Sequence, residues 1–307
     1  MLDHTAALLA LTLSAGTPLV FAALGELVTE KSGVVNLGVE GMMLVGAIAA
    51  FATVASGGSL WAGVAAGAVA GMGMALIFAI LALSLQANQY ASGLALSIFG
   101  IGLSAFVGKA WLDTAIQGFQ PVSLPGLSAI PLLGPALFKQ PPMVYLAFLL
   151  FAAISWLLYR SKAGLVLRAV GESPESAHAI GYAVIRIRYL ATLFGGACCG
   201  VAGAYLALSY TPMWVENMTA GAGWIALALT VFATWRPLRV LLGAYLFGGV
   251  TILQFHAQGL GVAIPSQLLS MLPYLATIVV LVLISRNSQM IRLHAPASLG
   301  KPFLGGG

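Results

Sequence analysis

Charge is what this chain has least of. Its 307 residues include 13 Lys and Arg and 8 Asp and Glu, against 60% hydrophobic residues and a mean hydropathy of +1.01. So little polar surface cannot cover a water-exposed fold of this size, which excludes an ordinary soluble domain. Between 41 and 108 not one of 68 residues is Asp, Glu, Lys or Arg. A membrane-crossing helix needs about 20 apolar residues, so that run alone can supply three. The apolar runs are continuous, not alternating, and a backbone in lipid must satisfy its own hydrogen bonds, so helices are favoured over a barrel. A basic segment ahead of the first apolar run is also missing. "MLDHT" carries Asp3 and no Lys or Arg, so residues 6–25 read as a retained first helix, not a signal peptide.

Cysteine is equally scarce. Cys198 and Cys199 are adjacent in an apolar segment with no other Cys or His nearby. Neighbours on a helix point apart, so the pair reads as small packing residues and no metal site is expected. Missing as well are a G-x-x-x-x-G-K-[ST] phosphate loop, an H-E-x-x-H pair and any Ser/His/Asp arrangement. Neither nucleotide hydrolysis nor intramembrane proteolysis has residues to run on, so no catalytic residue is expected. Nothing points to a nucleic-acid partner.

What is present reads as one all-α domain over 1–307, a polytopic transmembrane helical bundle of about nine helices (8–10). The runs are 6–25, 34–53, 60–84, 91–108, 142–159, 189–208, 222–235, 238–255 and 268–285. The seventh is short for a span. The second has Gly33, Asn36, Gly38 and Gly41 at its start, a composition that suits a partly re-entrant segment. Loop 160–188 carries Arg160, Lys162, Arg168, Arg186 and Arg188, so the positive-inside rule makes it cytoplasmic. Alternation then puts Arg236, Arg239 and the tail with Arg286, Arg292 and Lys301 on the same side. Segments 209–221 and 256–267, which lack Lys and Arg, fall outside. Counting backward leaves the N-terminus external and makes 109–141, with five prolines, an external loop of mainly irregular structure. Gly63, Gly67 and Gly71, and Gly196 and Gly200, form stripes where helices can approach closely. Pro18 and Pro273 sit inside apolar runs, where each removes a backbone donor.

Several polar residues invite two readings each. Glu40 lies at membrane depth, where a carboxylate usually faces a protein interior or water. With Asn36 four residues earlier it would put two polar groups on one helical face. Glu40 is then either a structural brace or part of a translocation path or gate. Asn88, Gln89 and Ser92, at a helix start, either line a path or cap the helix. Trp214, Glu216 and Asn217 either receive an external binding protein or form an interfacial anchor. Gln254, His256 and Gln258 lie in the next external region, where the lone His reads as solvated and the amides would also suit a sugar or nucleoside.

Seven of the 21 charges fall in the 29 residues from Arg160 to Arg188. Within that island, in "RAVGESPESAHAIGY", Ser173 suits an N-cap, Pro174 the first helical position and Glu175 the first turn, while Gly181 suits a stop. A helix over 174–180 is too short to stand alone in water, so it is either part of a solvated linker or a piece that docks on something.

The run "GLVLRAVGESPESAHAIGYAVIRIRYLATLFGGACCGVAGAYLAL" resembles the cytoplasmic loop and following helix of permeases in the ABC importers that handle branched-chain amino acids and simple sugars. The match to that type II importer family continues through "LGELVTEKSGVVNLGVEGMMLVGA", "ANQYASGLALSIFGIGLSAF", "GWIALALTVFATWRPLRVLLGAYLFGG" and "APASLGKPF", which look like its nucleoside and simple-sugar branch. The resemblance implies that Gly171, Glu172, Ser173, Pro174, Glu175, Ala177 and Gly181 couple the chain to a separate cytoplasmic ATPase, which alone would use ATP and Mg; this chain would bind no cofactor. It further implies a second, longer permease and an external substrate-binding protein or lipoprotein, in a bacterial inner membrane. The substrate would be a nucleoside or simple sugar, although relatives also carry amino acids and ribityl vitamins. The rival reading is a proton-coupled secondary transporter with Glu40 as coupling carboxylate.

Overall fold

The computed structural model describes residues 2–123, 125–126, 128, 130–131, 133–259, 268, 271–285 and 295–303. Arg286, Arg292 and most of segment 256–267 lie outside the described residues. Among the described residues twelve α-helices follow one another: α1 (Leu2–Lys31), α2 (Val39–Ala55), α3 (Leu60–Ala79), α4 (Gln89–Gly108), α5 (Leu133–Leu137), α6 (Pro142–Arg160), α7 (Lys162–Glu172), α8 (Pro174–Ala179), α9 (Val184–Tyr205), α10 (Ala222–Phe232), α11 (Pro237–Gly259) and α12 (Leu272–Ser285). α3 and α9 each continue through a five-residue π-turn, to Ser84 and Tyr210.

Each of the nine apolar runs contains a helix. Among the described residues six helices are long and apolar enough to cross a membrane, while α2, α10 and α12 have 17, 11 and 14 residues. α2 starts late because the chain leaves the helix after Lys31. Gly33 takes a left-handed φ of +92°, and Asn36 folds back so that its Oδ1 accepts from Gly38 N–H at 2.9 Å. Helix begins only at Val39. Asn36 and Glu40 therefore do not share a helical face, contrary to their spacing.

The core is built on α9. About 72% of its membrane-length stretch is buried, against 28% for α6, so α9 is the axis and α6 an outer helix. The glycine stripes meet there. A Cβ on Gly71 or Gly200 would collide with the Gly196 or Gly67 carbonyl, and one on Gly46 of α2 would lie 2.5 Å from Gly200 Cα. Lipid tails are as apolar as leucine, so such helices hold together by backbone-close packing, which only glycine permits here. Cys198 and Cys199 are buried and unlinked, and the Cys198 Cβ sits 2.5 Å from where a side chain on Gly25 would start. Both are packing residues.

One helix was absent from the sequence reading. Within the polar island, Ser161 Oγ accepts from Gly164 N–H at 3.0 Å and caps α7, whose Gly164, Leu167, Val170 and Gly171 are buried. Spacings of three, three and one put all four on one face, an amphipathic pattern hidden among charges.

The bundle has two distinct ends. At the first, the basic end, Lys31 closes α1 beside Gly171, Arg168, Arg236 and Arg239. At the other, the far end, loop 109–141 forms a two-residue hairpin (Val122–Ser123 with Lys139–Gln140) and α5. Gln140 Nε2 donates to Ala136 O at 2.7 Å and to Ala10 O at 3.4 Å, which packs that loop on the early turns of α1.

Candidate functional site

α2 and α10 are short because both begin inside the bundle, and their N-termini meet at one side chain. Glu40, 2% exposed, lies in the first turn of α2. Its Oε1 accepts from Thr219 Oγ1 at 2.5 Å and Gly221 N–H at 2.9 Å, and its Oε2 from Gly223 N–H at 2.6 Å. Gly221 and Gly223 open α10, so the carboxylate satisfies amide groups that a helix start leaves unpaired, at the positive end of two helix dipoles. α10 runs alongside α1, with Thr230 Oγ1 donating to Ala23 O and Trp235 Nε1 donating to Glu30. Glu40 thus lies two turns further from the basic end than the Thr230–Ala23 contact. This geometry ties the starts of α2 and α10 together inside the bundle.

The non-helical segment 32–38 is held by two further polar residues. Glu26 Oε1 accepts from Asn36 N–H at 3.2 Å, and Gln89 Oε1 from Val35 N–H at 2.9 Å. Glu26 Oε2 and Gln89 Nε2 are buried with no protein partner, which leaves polar atoms available beside an unwound stretch of backbone. Glu26 lies one residue past the apolar run 6–25, so the sequence pattern does not single it out. Asn88 is exposed and caps α4, its Oδ1 accepting from Ala91 N–H at 3.0 Å, and Ser92 is half-buried one turn on. Of the three residues expected together at that helix start, only Gln89 reaches the interior.

At the basic end the organising residue is Arg188, 1% exposed. Its Nε donates to Ser32 O, Nη1 to Lys301 O and Nη2 to Ser298 Oγ, each at 3.1 Å. Ser298 in turn ties to Gly171, its Oγ at 2.6 Å and its N–H at 3.0 Å from that carbonyl, and Gly300 N–H donates to Gly33 O at 3.0 Å. Residues 295–303 are therefore a strap that joins the α1–α2 turn, the end of α7 and the start of α9.

The coupling candidates are placed as follows. Ser173 caps α8, its Oγ accepting from Ser176 N–H at 3.3 Å, and Gly181 ends it with a φ of +96°. Gly171, Pro174 and Ala177 are buried, and Ala177 packs with Val170, Val184 and Phe303. Ala177 therefore anchors the helix from within. Glu172, Glu175, Ser176, His178, Ile180, Gly181 and Tyr182 face outward, with Ile180 at 72% exposure.

Trp214 is the clear correction among the docking candidates. It is 4% exposed and packs with Ala47, Ile48, Phe51 and Ala207, its indole against Gly108. An indole closing the end of α2 cannot also be a docking surface. Glu216 and Asn217 do face outward.

A sequence profile of the branched-chain amino acid transport system permease component matches residues 8–284. A Haloferax volcanii protein provisionally named a glucose ABC transporter permease is 42% identical over 97% of each chain. A Bacillus subtilis guanosine ABC transporter permease is 34% identical over 96% of this chain and 95% of its own. A Lactococcus lactis nucleoside ABC transporter permease is 32% identical, over 87% and 88%. No solved structure matches. Strapped loop helix, broken α2 and α10 and glycine-packed core thus belong to a multi-pass membrane protein, and the chain is a member of the branched-chain amino acid transport system permease family, a type II ABC importer permease and not itself an enzyme.

Proposed function

We propose that this permease moves nucleosides or related simple sugars inward, coupled to a separate ATPase through α8. The carrying observation is the double character of that helix. Pro174 and Ala177 fix it to α7, α9 and the strap, while Glu175, His178, Ile180 and Tyr182 are left outward. A rigidly seated two-turn helix with exposed apolar residues suits a partner that pushes on it, since motion passes on through packed elements with two arrangements. Ile180→Asp with Glu175→Arg should abolish co-purification of the ATPase and uptake, with the melting temperature of the purified permease unchanged. Normal association in that variant overturns the assignment.

Family membership implies an ATPase and a substrate-binding partner; the longer second permease belongs to this proposal. Lys31, Arg168, Arg236 and Arg239 line one cavity, and Arg188 lies at the same end, which supports a cytoplasmic basic end and an external N-terminus. The substrate reading rests on the sugar and nucleoside names of the relatives. Direct binding of guanosine, ribose and glucose to the partner binding protein decides among them. The proton-coupled alternative is set aside by membership in an ABC family. Uptake into vesicles should accordingly need ATP and survive an uncoupler.

A further inference from the structure

The basic end holds a cavity that the transport reading leaves unused. It has a volume of about 660 Å³ and is lined by Lys31, Arg168, Arg236 and Arg239 together with Phe151, Ser155, Tyr159, Pro237 and Leu238. Four cations converge from the end of α1, the middle of α7 and the start of α11. The acids acting on Lys31 are Glu172 and Glu30, and the Glu30 carboxylate is buried and already accepts from the Trp235 indole. Four cations and no carboxylate line this open concavity among the described residues, which is chemistry for an anion.

The turn that delivers two of those cations is strained. Thr234 and Trp235 both take left-handed φ values, +49° and +51°. Side chains at such angles persist only where the surroundings over-determine them. Here the Trp235–Glu30 bond and the bond from Arg239 Nη1 to Thr234 Oγ1 do so. Arg236 and Arg239 follow directly on this locked turn.

The remaining walls say which anion. Arg168 lies over the Tyr159 ring, its Cζ 5.7 Å from the centroid. From Tyr159 through Ser155 to Phe151 the lining descends α6 by eight residues, about 12 Å into the apolar part of the helix. α6 is also the least buried of the membrane-length helices, so this side of the cavity faces outward from the bundle. A soluble anion would use only the cationic rim. A ligand with an anionic head and apolar chains uses both halves, as basic pockets between helices on the cytoplasmic side do. We propose that this cavity binds the phosphate headgroup of an anionic membrane phospholipid, with its acyl chains along the Tyr159–Phe151 face of α6.

The test is native mass spectrometry of the full-length chain purified in mild detergent, titrated with phosphatidylglycerol or phosphatidylcholine. Phosphatidylglycerol should be retained and phosphatidylcholine released, and millimolar inorganic phosphate should not displace the former. Arg236→Gln should weaken retention about five-fold, and Arg168→Gln/Arg236→Gln/Arg239→Gln at least about ten-fold. Arg160→Gln/Lys162→Gln, exposed cations outside the cavity, should leave it unchanged. Should the triple variant fail to fold, the single Arg236→Gln variant decides. Unchanged retention in the cavity variants, equal loss in the control, or equal retention of phosphatidylcholine overturns the proposal. Displacement by inorganic phosphate also overturns it, in favour of a soluble-anion site.

Discussion

Glu40 and Arg188 are both buried charges, at 2% and 1% exposure, and both are satisfied by backbone groups and a hydroxyl. They differ in where those groups come from. Glu40 takes its donors from Thr219, Gly221 and Gly223, one short stretch already organised by the start of α10. Arg188 gathers acceptors from Ser32, Ser298 and Lys301, segments that only the folded chain brings together. The first arrangement is a fixed joint between two helix ends. The second is a clasp whose parts can separate without any helix breaking.

Four measurements sharpen or break that contrast. Glu40→Ala should have the largest effect, because three donors lose their acceptor inside the bundle. At about 1–3 kcal/mol for each orphaned group, the loss is on the order of 4 kcal/mol or more. It should appear as a collapse in monodisperse yield after detergent extraction, and a well-folded variant would remove Glu40 from the role of joint. Arg188→Met should cost less, about 2–3 kcal/mol, since the freed carbonyls lie near the basic end where water can replace the guanidinium. Its signature is local: hydrogen exchange should accelerate at 298–303 and at 32–33, with α10 unaffected. Global acceleration would make Arg188 a fixed joint like Glu40. Ser298→Ala removes only the link between Arg188 and Gly171 and should cost about 1 kcal/mol, read as a small fall in melting temperature. Glu175→Ala, on the outward face of α8, should leave stability within about 0.5 kcal/mol of the parent while lowering ATP-driven uptake. A large stability loss there would mean that the helix is a structural element only.

The long helices were legible because an apolar run long enough to span a bilayer has few other fates in a membrane protein. The cap, first-turn proline and terminal glycine of α8 were legible for a similar reason, since they act within the nine residues from Ser173 to Gly181. The missed features depend on distance along the chain or on polarity masking a pattern. α7 was hidden because its buried stripe is interleaved with Arg168 and Lys162. Trp214 looked like an interfacial aromatic because nothing near it in sequence reveals that Phe51 and Gly108 surround it. Arg188 looked like one more positive-inside charge, and two of its three partners lie 110 and 113 positions away. The shortness of α2 was half legible: the glycines marked an interrupted start, but only the Asn36 turn shows where helix begins.

The clasp also sets a clock. Ser298 is made 110 residues after Arg188, so at roughly 5–20 residues per second the guanidinium waits on the order of 5–20 s for it during synthesis. Until then the second turn of α9 carries a cation with only part of its eventual cage, and water must serve in place of Ser298 and Lys301. That turn should therefore stay at the membrane surface while α10, α11 and α12 are being made, and settle into its final depth only when the strap arrives. The order in which this permease takes its shape is then not the order in which its helices enter the membrane.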